Sequence, residues 1–301
     1  MKNIPIRIMS FSFDIDEVRK TVPYFFQFYG LSMTLPYLEP YLIRTMRSAL
    51  EKTTDPAVEH EVRQFIGQEA QHNKQHTLLN KFVRELNPAM EGIKKIEEEM
   101  KADYLYFTKT KSLKFNLAYA EGFEAATCAI ARTEMEYNNL ENVTQLVDSE
   151  PLCLLRWHLL EEVDHRAVTF NIYKHLYSDY FYRLAIGVYG QYRFFKYVCK
   201  FSKYINNNHL NANIENRNDS SLGAPPPNWK QVFSLLGKLL NTYMPWYNPE
   251  HIKLSSKFEN RRVELANSAI EIRTPNQMGK YSKEESVAKS LRRTIPNNST
   301  E

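Results

Sequence analysis

The strongest constraint on the fold of this chain is one glutamate that stands between two histidines at helical spacing. In a helix, steps of four and three residues return to the same face, so His158, Glu162 and His165 share one side. Ordinary core packing does not explain such a set, because burying a charge is costly unless it is paired or bound to a metal. We therefore expect this stretch to form a helix whose inner face binds a metal ion.

A second copy of the Glu-x-x-His motif lies upstream, at Glu69 and His72. One copy alone is a weak signal, since a chain of this length carries on the order of one by chance. Two copies on two helices, together with one inward-facing glutamate from each of two further helices, form the ligand set of a di-iron carboxylate bundle. The hypothesis therefore requires two more helices, each with an acid on its apolar face.

Two further predicted helices supply such an acid. The apolar stripe of residues 35–50 contains Glu39, for which a position at the rim of the stripe is the alternative interpretation. The inner face of residues 112–140 contains both Glu121 and Glu124, of which only one is needed as a ligand. The resulting order of acids and Glu-x-x-His motifs predicts an all-α fold, a ferritin-like four-helix bundle with additional C-terminal helices.

Caps and apolar periodicity mark the two helices that carry the motifs. An Asp-Pro pair at residues 55–56 is a typical helix start, and that helix should end near residue 86. Its inner face adds His76, one turn beyond His72. The fourth helix should run without a break over residues 149–177, with the opening motif near its middle.

The composition narrows the function classes. Only 9 of the 301 residues are glycine, which argues against a βαβ nucleotide-binding fold. A formal net charge of +4 is too small to indicate nucleic-acid binding. Three widely spaced cysteines fit reduced thiols in the cytoplasm, and we expect neither a signal peptide nor a membrane-spanning helix.

The pattern along the chain predicts three parts. We expect an irregular lead-in over residues 1–20, a helical metal-binding domain with a C-terminal helical extension over residues 21–265, and a polar, disordered tail over residues 266–301. Within the extension, residues 180–204 are aromatic and basic. Two interpretations remain open for them: a fifth helix packed on the bundle, or a helix in peripheral contact with the inner face of the cell membrane.

The sequence around both motifs resembles a bacterial family described as predicted metal-dependent hydrolases. The resemblance is carried by Gln68-Glu69-Ala70-Gln71-His72 with His76, and by Trp157-His158 with Glu161, Glu162, His165, Val168, Phe170 and Tyr173. It extends from about Ile6 to His251 and implies a ferritin-like fold. In the third helix the family pattern places a glutamate three residues before a threonine, which favours Glu124 over Glu121. The family often has histidine directly after that glutamate, where this chain has Ala125.

The fourth helix is also similar to that of the di-iron N-oxygenases that oxidise aryl amines. Those enzymes carry an extra histidine one turn before the last Glu-x-x-His, where His158 stands here. The resemblance implies seven ligands: Glu39, Glu69, His72, Glu124, His158, Glu162 and His165. Glu121 and His76 are then the candidates for catalytic roles, as proton carriers behind the ligands.

A set of carboxylates and imidazoles suits iron or manganese, and we expect two iron ions. Zinc fits less well, because its sites often include thiolate and no cysteine lies at ligand spacing. The favoured hypothesis is an enzyme that activates O2 to oxidise a small-molecule substrate, with electrons from a donor protein. The alternative is a hydrolase that uses a metal-bound hydroxide. A non-enzymatic helical bundle, with or without metal, is the third interpretation.

Overall fold

The computed structural model describes residues 4–137, 149–209, 228–254 and 256–274. Within these ranges the fold is all-α apart from one small sheet, as predicted. The α-helices are α1 (Ile15–Leu50), α2 (Pro56–Glu85), α3 (Ile93–Thr110), α4 (Leu113–Tyr137), α5 (Glu150–Asp164), α6 (Val168–Leu176), α7 (Tyr180–Asn208), α8 (Trp229–Thr242) and α9 (Ser256–Ser268). Short 3-10 helices occupy Pro88–Gly92 and Pro249–His251, and the strands are β1 (Ile6–Ile8) and β2 (Glu271–Arg273).

Helix α1 begins much earlier than the sequence pattern indicates. Asp14 caps it by accepting hydrogen bonds from the backbone amides of Asp16 and Glu17, which satisfies two of the free donors of the first turn. The helix continues through three prolines, and its backbone departs from helical geometry at Phe25. The expectation of an irregular lead-in over residues 1–20 therefore does not hold for residues 15–20, which are helical, or for Ile6–Ile8, which form β1.

Strands β1 and β2 join the two ends of the described chain. They pair antiparallel, with Ile6 opposite Arg273 and Ile8 opposite Glu271. The side chain of Ile6 is fully buried against α2, where it contacts Gly67. The prediction of a disordered tail from residue 266 is therefore wrong for β2, and residues 275–301 lie outside the described residues.

The predicted fourth helix is divided into α5 and α6. His165 caps α5 with a φ of −96° and a ψ of 12°, and the helix resumes at Val168. Arg166 stabilises the break, because its guanidinium donates to the carbonyl oxygens of Val163 and Pro249. Hydrogen bonds to the distant segment around Pro249 form only in the folded chain, so apolar periodicity alone predicted one uninterrupted helix.

Helix α7 packs across α1 and α4 rather than standing apart from the bundle. Three of its aromatic side chains, Phe194, Tyr197 and Phe201, are buried in the core. The helices approach closely at small residues, with Gly187 against Gly122 of α4. Of the two interpretations for residues 180–204, packing on the bundle is thus the one observed for these rings. Within the described residues, no helix combines the length and apolarity needed to cross a membrane.

Candidate metal centre

The structure brings the seven predicted ligands into the centre of the bundle. They come from α1, α2, α4 and α5, and the last of them caps α5. None is more than 2% exposed. We call this group the carboxylate–imidazole cluster: Glu39, Glu69, His72, Glu124, His158, Glu162 and His165.

Two sets of side chains within the cluster have the spacing of metal ligands. One ligand atom each from Glu69, His72, Glu162 and His165 lies within 4.8 Å of the others. Glu39, His72 and His158 form a second set at the same spacing. Glu124 is in neither set and joins the cluster through His165. The two sets share His72, so the side chains converge on one compact volume.

Several polar atoms of the cluster have no hydrogen-bond partner among the described residues, although they are buried. These atoms are both carboxylate oxygens of Glu39, both of Glu69, Oε1 of Glu124, Oε2 of Glu162 and Nδ1 of His72. A buried acceptor without a partner costs about 1–3 kcal/mol, and more if it is charged. So many in one place fit a binding site for a cation, because oxygen and imidazole nitrogen are the donors that iron and manganese accept.

His72 is oriented by a carboxylate outside the cluster. Its Nε2 atom lies 2.9 Å from Oε2 of Glu161, while its Nδ1 atom faces Glu69 at 3.8 Å and Glu162 at 4.0 Å. A ligating histidine commonly donates its other nitrogen to a carboxylate in this way, which keeps the metal-facing nitrogen unprotonated. Glu161 therefore has a place beside the site that its helical position alone did not reveal.

Glu161 is itself held by an arginine from the other end of the chain. Arg7, in β1, donates from Nη1 to Glu161 at 2.8 Å and to Asp164 at 3.1 Å. All three side chains are at most 2% exposed. Burial raises the pKa of Glu161 to about 7 against the opposing effect of Arg7. No sequence signal links residues so far apart, so sequence reasoning missed Arg7.

His165 is oriented by Glu124. Its Nδ1 atom lies 2.8 Å from Oε2 of Glu124, and its Nε2 atom lies 3.4 Å from Oε1 of Glu69. With the proton on Nδ1, the Nε2 lone pair points to the carboxylates of Glu69 and Glu162. The non-helical backbone at His165 contributes to this placement, because the side chain leaves the last turn of α5 rather than a regular helical position.

His158 is oriented by a chain of neutral side chains. The amide of Asn80 donates to the carbonyl oxygen of Ser32, so its side-chain oxygen accepts from the Ser32 hydroxyl, at 2.7 Å. Ser32 must then accept from Nδ1 of His76, at 2.9 Å, and Nε2 of His76 accepts from Nδ1 of His158, at 3.0 Å. In the neutral tautomer that this direction selects, Nε2 of His158 carries no proton, and it lies 3.0 Å from Oε1 of Glu162. His76 thus contacts a predicted ligand, as the catalytic or supporting role assigned to it requires.

Glu121 lies in a different environment from the one predicted. Its carboxylate accepts a hydrogen bond of 2.7 Å from Arg183, and both side chains are buried. The guanidinium of Arg183 also lies over the rings of Phe170, Tyr180 and Tyr247, at 5.4–5.8 Å from their centroids. The ionic contact with Glu121 and the cation–π contacts with the rings stabilise the packing of α4, α6 and α7. Between Glu121 and Glu124, only Glu124 contacts another residue of the cluster.

Burial and mutual repulsion oppose the ionisation of three of the four carboxyl groups of the cluster. Burial, and then the neighbouring carboxylates, raise the pKa values of Glu39, Glu69 and Glu124 well above the usual range. Glu162 differs: burial raises its pKa, but the attraction of His165 and His158 in their protonated forms outweighs burial and lowers it. A divalent cation would reverse this balance, since it neutralises the repulsion and stabilises the carboxylates as anions.

The imidazoles of α2 are kept neutral. Burial, followed by repulsion from the neighbouring imidazoles, lowers the pKa values of His72 and His76 well below 6.5. Apolar rings pack against two imidazoles of the cluster: Trp157 lies edge-on to His72 with 4.8 Å between the ring centroids, and Phe65 lies edge-on to His165, at the end of α5, at 4.9 Å. Neutral imidazole is the form that binds metal ions, so the cluster is electrostatically suited to a cation.

Comparison with known proteins identifies one family. The family profile described as "predicted metal-dependent hydrolase" matches residues 11–253, which include every residue of the cluster. No curated protein and no solved structure matches the sequence.

Proposed function

The chain belongs to the family described as predicted metal-dependent hydrolases, and from that premise we propose that the carboxylate–imidazole cluster is the two-metal centre of a hydrolase. The observation that carries the proposal is the convergence of four buried carboxylates and three imidazoles, several of whose acceptor atoms have no hydrogen-bond partner in the part of the chain that the structure describes. Four helices that contribute two Glu-x-x-His motifs and two further glutamates are the known protein framework for a pair of iron or manganese ions.

The ligand roles follow from the two sets of side chains at ligand spacing. Glu69, Glu162 and His165 would hold one ion, and Glu39 and His158 the other, with His72 common to both sets. Glu124, which accepts from Nδ1 of His165, would orient that ligand. His158 adds a third imidazole through its Nε2 atom beside Glu162. Ions held in this way lower the pKa of a bound water and polarise the oxygen of a substrate. Manganese or iron suits this mixture of oxygen and nitrogen donors better than zinc.

The residues around the cluster restrict the substrate. Two buried arginines of the bundle are engaged by carboxylates, Arg7 by Glu161 and Asp164, and Arg183 by Glu121. A phosphate group would therefore find no free guanidinium on these two arginines. Trp157 and Phe65 cover the imidazoles with apolar surface. We therefore favour the ester or amide of a small, uncharged organic molecule as the substrate.

The test is a metal-dependent assay without oxygen. The purified chain, loaded with Mn²⁺ under nitrogen, is expected to hydrolyse at least one member of a panel of aryl esters and anilides. Glu162→Gln should lower both the bound metal and the activity by at least about tenfold. Glu91→Gln, which makes the same chemical change at an exposed position on the surface, should leave both unchanged. Full metal content in Glu69→Ala and Glu162→Ala would refute the metal centre itself.

Oxygen activation is the second candidate function, and His158 is the observation that favours it. A third imidazole makes the donor set richer in electrons, which suits iron that reacts with O2 and a small organic substrate, with electrons from a donor protein. Consumption of O2 by the Fe²⁺-loaded chain, together with no hydrolysis in the anaerobic Mn²⁺ assay, would favour this function over hydrolysis.

A further inference from the structure

Helix α8 presents its apolar side to solvent and its polar side to the protein. Four large apolar residues at helical spacing, Trp229, Phe233, Leu236 and Leu240, are 48–73% exposed. Trp246, just after the helix, is 73% exposed. A surface helix of a globular protein normally has the opposite orientation. We call these five residues the α8 face.

The inner side of α8 is held by polar contacts. Gln231 and Thr242 are buried, and Ser234 and Lys238 both bond to Glu136 of α4. Because α8 packs against α4 through its polar side, its apolar side faces solvent. A contiguous exposed apolar face of this kind marks a surface that binds a membrane or another protein.

We infer that the α8 face binds the surface of a membrane that contains anionic lipids. Charge complementarity favours this occupant: residues 228–249 contain no aspartate or glutamate, and Lys230 is exposed at the start of the helix. Negatively charged headgroups attract such a lysine. A second copy of the chain, paired through the same face, would offer no acid on α8 to meet Lys230.

The two tryptophans support a helix that lies in the plane of the membrane surface. Trp229 and Trp246 stand at opposite ends of the α8 face, and tryptophan is enriched at the level of the lipid headgroups. Helix α8 has 14 residues and is too short to cross a bilayer, which needs about 20. Its apolar face would therefore be buried at the boundary between headgroups and acyl chains. This surface is separate from the bundle centre, so the inference does not depend on the proposed function.

The test is flotation of the purified full chain with vesicles of phosphatidylcholine, with or without phosphatidylglycerol. We expect the chain to float with the mixed vesicles, and the binding to weaken as salt is added. Replacing Phe233 and Leu236 together by serine should lower the affinity for the vesicles by about tenfold or more, because two apolar side chains that would insert into the membrane are lost. Lys230→Glu should lower it by about fivefold or more on the mixed vesicles alone.

The matched control replaces Leu105 and Tyr106 of α3 by serine, since these are also large and exposed but belong to another helix. This variant should float like the parent chain, and circular dichroism should give the same helix content for every variant. A parent chain that does not float with mixed vesicles would overturn the inference. So would a dimer, detected by light scattering, that disappears in the Phe233 and Leu236 double variant, because the occupant would then be a second copy.

Discussion

The Nε2 atom of His76 lies 3.0 Å from the Nδ1 atom of His158, and this contact determines which nitrogen of His158 carries the proton. Because Asn80 and Ser32 fix the direction of the hydrogen bonds, His158 donates to His76 and its Nε2 atom keeps a free lone pair. Glu161 and Glu124 act in the same way on His72 and His165. Each imidazole of the cluster is therefore oriented by a side chain on its far side.

Removing His76 should weaken metal binding without removing a ligand. In His76→Ala we expect the affinity for Mn²⁺ to fall by about 10–100-fold, because His158 loses both its orientation and its preferred tautomer. His76→Gln retains a side-chain oxygen that can accept from His158 and should recover part of the loss. Calorimetric titration with Mn²⁺ measures both, with thermal unfolding to separate any general loss of stability. Equal affinities for the alanine and glutamine variants would contradict the orienting role.

Glu161→Ala should destabilise the fold and weaken metal binding together. It leaves the buried guanidinium of Arg7 with Asp164 alone and frees the Nε2 atom of His72. Breaking a buried ion pair from one side costs about 3–5 kcal/mol, so urea unfolding should give a loss of that order. Glu161→Gln keeps an acceptor for His72 and should retain more of the metal affinity than of the stability. If both variants bind Mn²⁺ like the parent chain, Glu161 does not position His72.

Two glycines at one helix crossing should respond differently to the same substitution. A Cβ atom on Gly122 would lie 2.4 Å from the Cα atom of Gly187 and 2.5 Å from its carbonyl oxygen, so α4 and α7 would have to separate. A Cβ atom on Gly187 would meet its nearest neighbour at an ordinary 3.5 Å. We expect Gly122→Ala to lower the free energy of unfolding by about 1–3 kcal/mol. Gly187→Ala should change it by less than about 1 kcal/mol, and equal losses would contradict this geometry.

The sequence predicted the composition of the cluster better than the contacts around it. The ligands of α2 and α5 follow from helical periodicity, because residues three or four apart lie on the same face of a helix. The partners of those ligands depend on contacts between distant segments, as with Arg7 and Glu161, 154 residues apart. Periodicity also left Glu121 and Glu124 equivalent, and the structure separates them, because Glu121 pairs with Arg183 whereas Glu124 contacts His165.

The ends of the helices were the least predictable part of the fold. The apolar stripe of residues 35–50 indicated a late start for α1, but the cap at Asp14 and the buried side chains of Val18 and Val22 sustain the helix from Ile15. No proline or glycine near Asp164 marks the break between α5 and α6 in the sequence. The break is stabilised by contacts of Arg166 with a segment more than 80 residues away. Local propensity is a weak guide where tertiary contacts decide the boundary.

Metal binding should release protons, and the chain should bind metal more tightly as the pH rises. Without metal, Glu39, Glu69 and Glu124 have pKa values well above the usual range because of burial and mutual repulsion. Carboxyl groups with raised pKa values stabilise the metal-free fold below their unfolded pKa of about 4.3, and this contribution is lost as the pH rises towards the folded values. Mn²⁺ must displace their protons, whereas Glu162, whose pKa is lowered, is already ionised.

Titration calorimetry in two buffers of different ionisation enthalpy measures the protons released per Mn²⁺ bound. We expect a positive release at pH 6 to 7 that falls by about one proton in Glu39→Gln, since that group no longer carries a displaceable proton. Glu91→Gln, at an exposed position, should match the parent chain. Without metal, thermal unfolding should occur at lower temperature as the pH rises through this range, and saturating Mn²⁺ should reduce that dependence. Binding with no proton release would show that the carboxylates are already ionised in the metal-free protein.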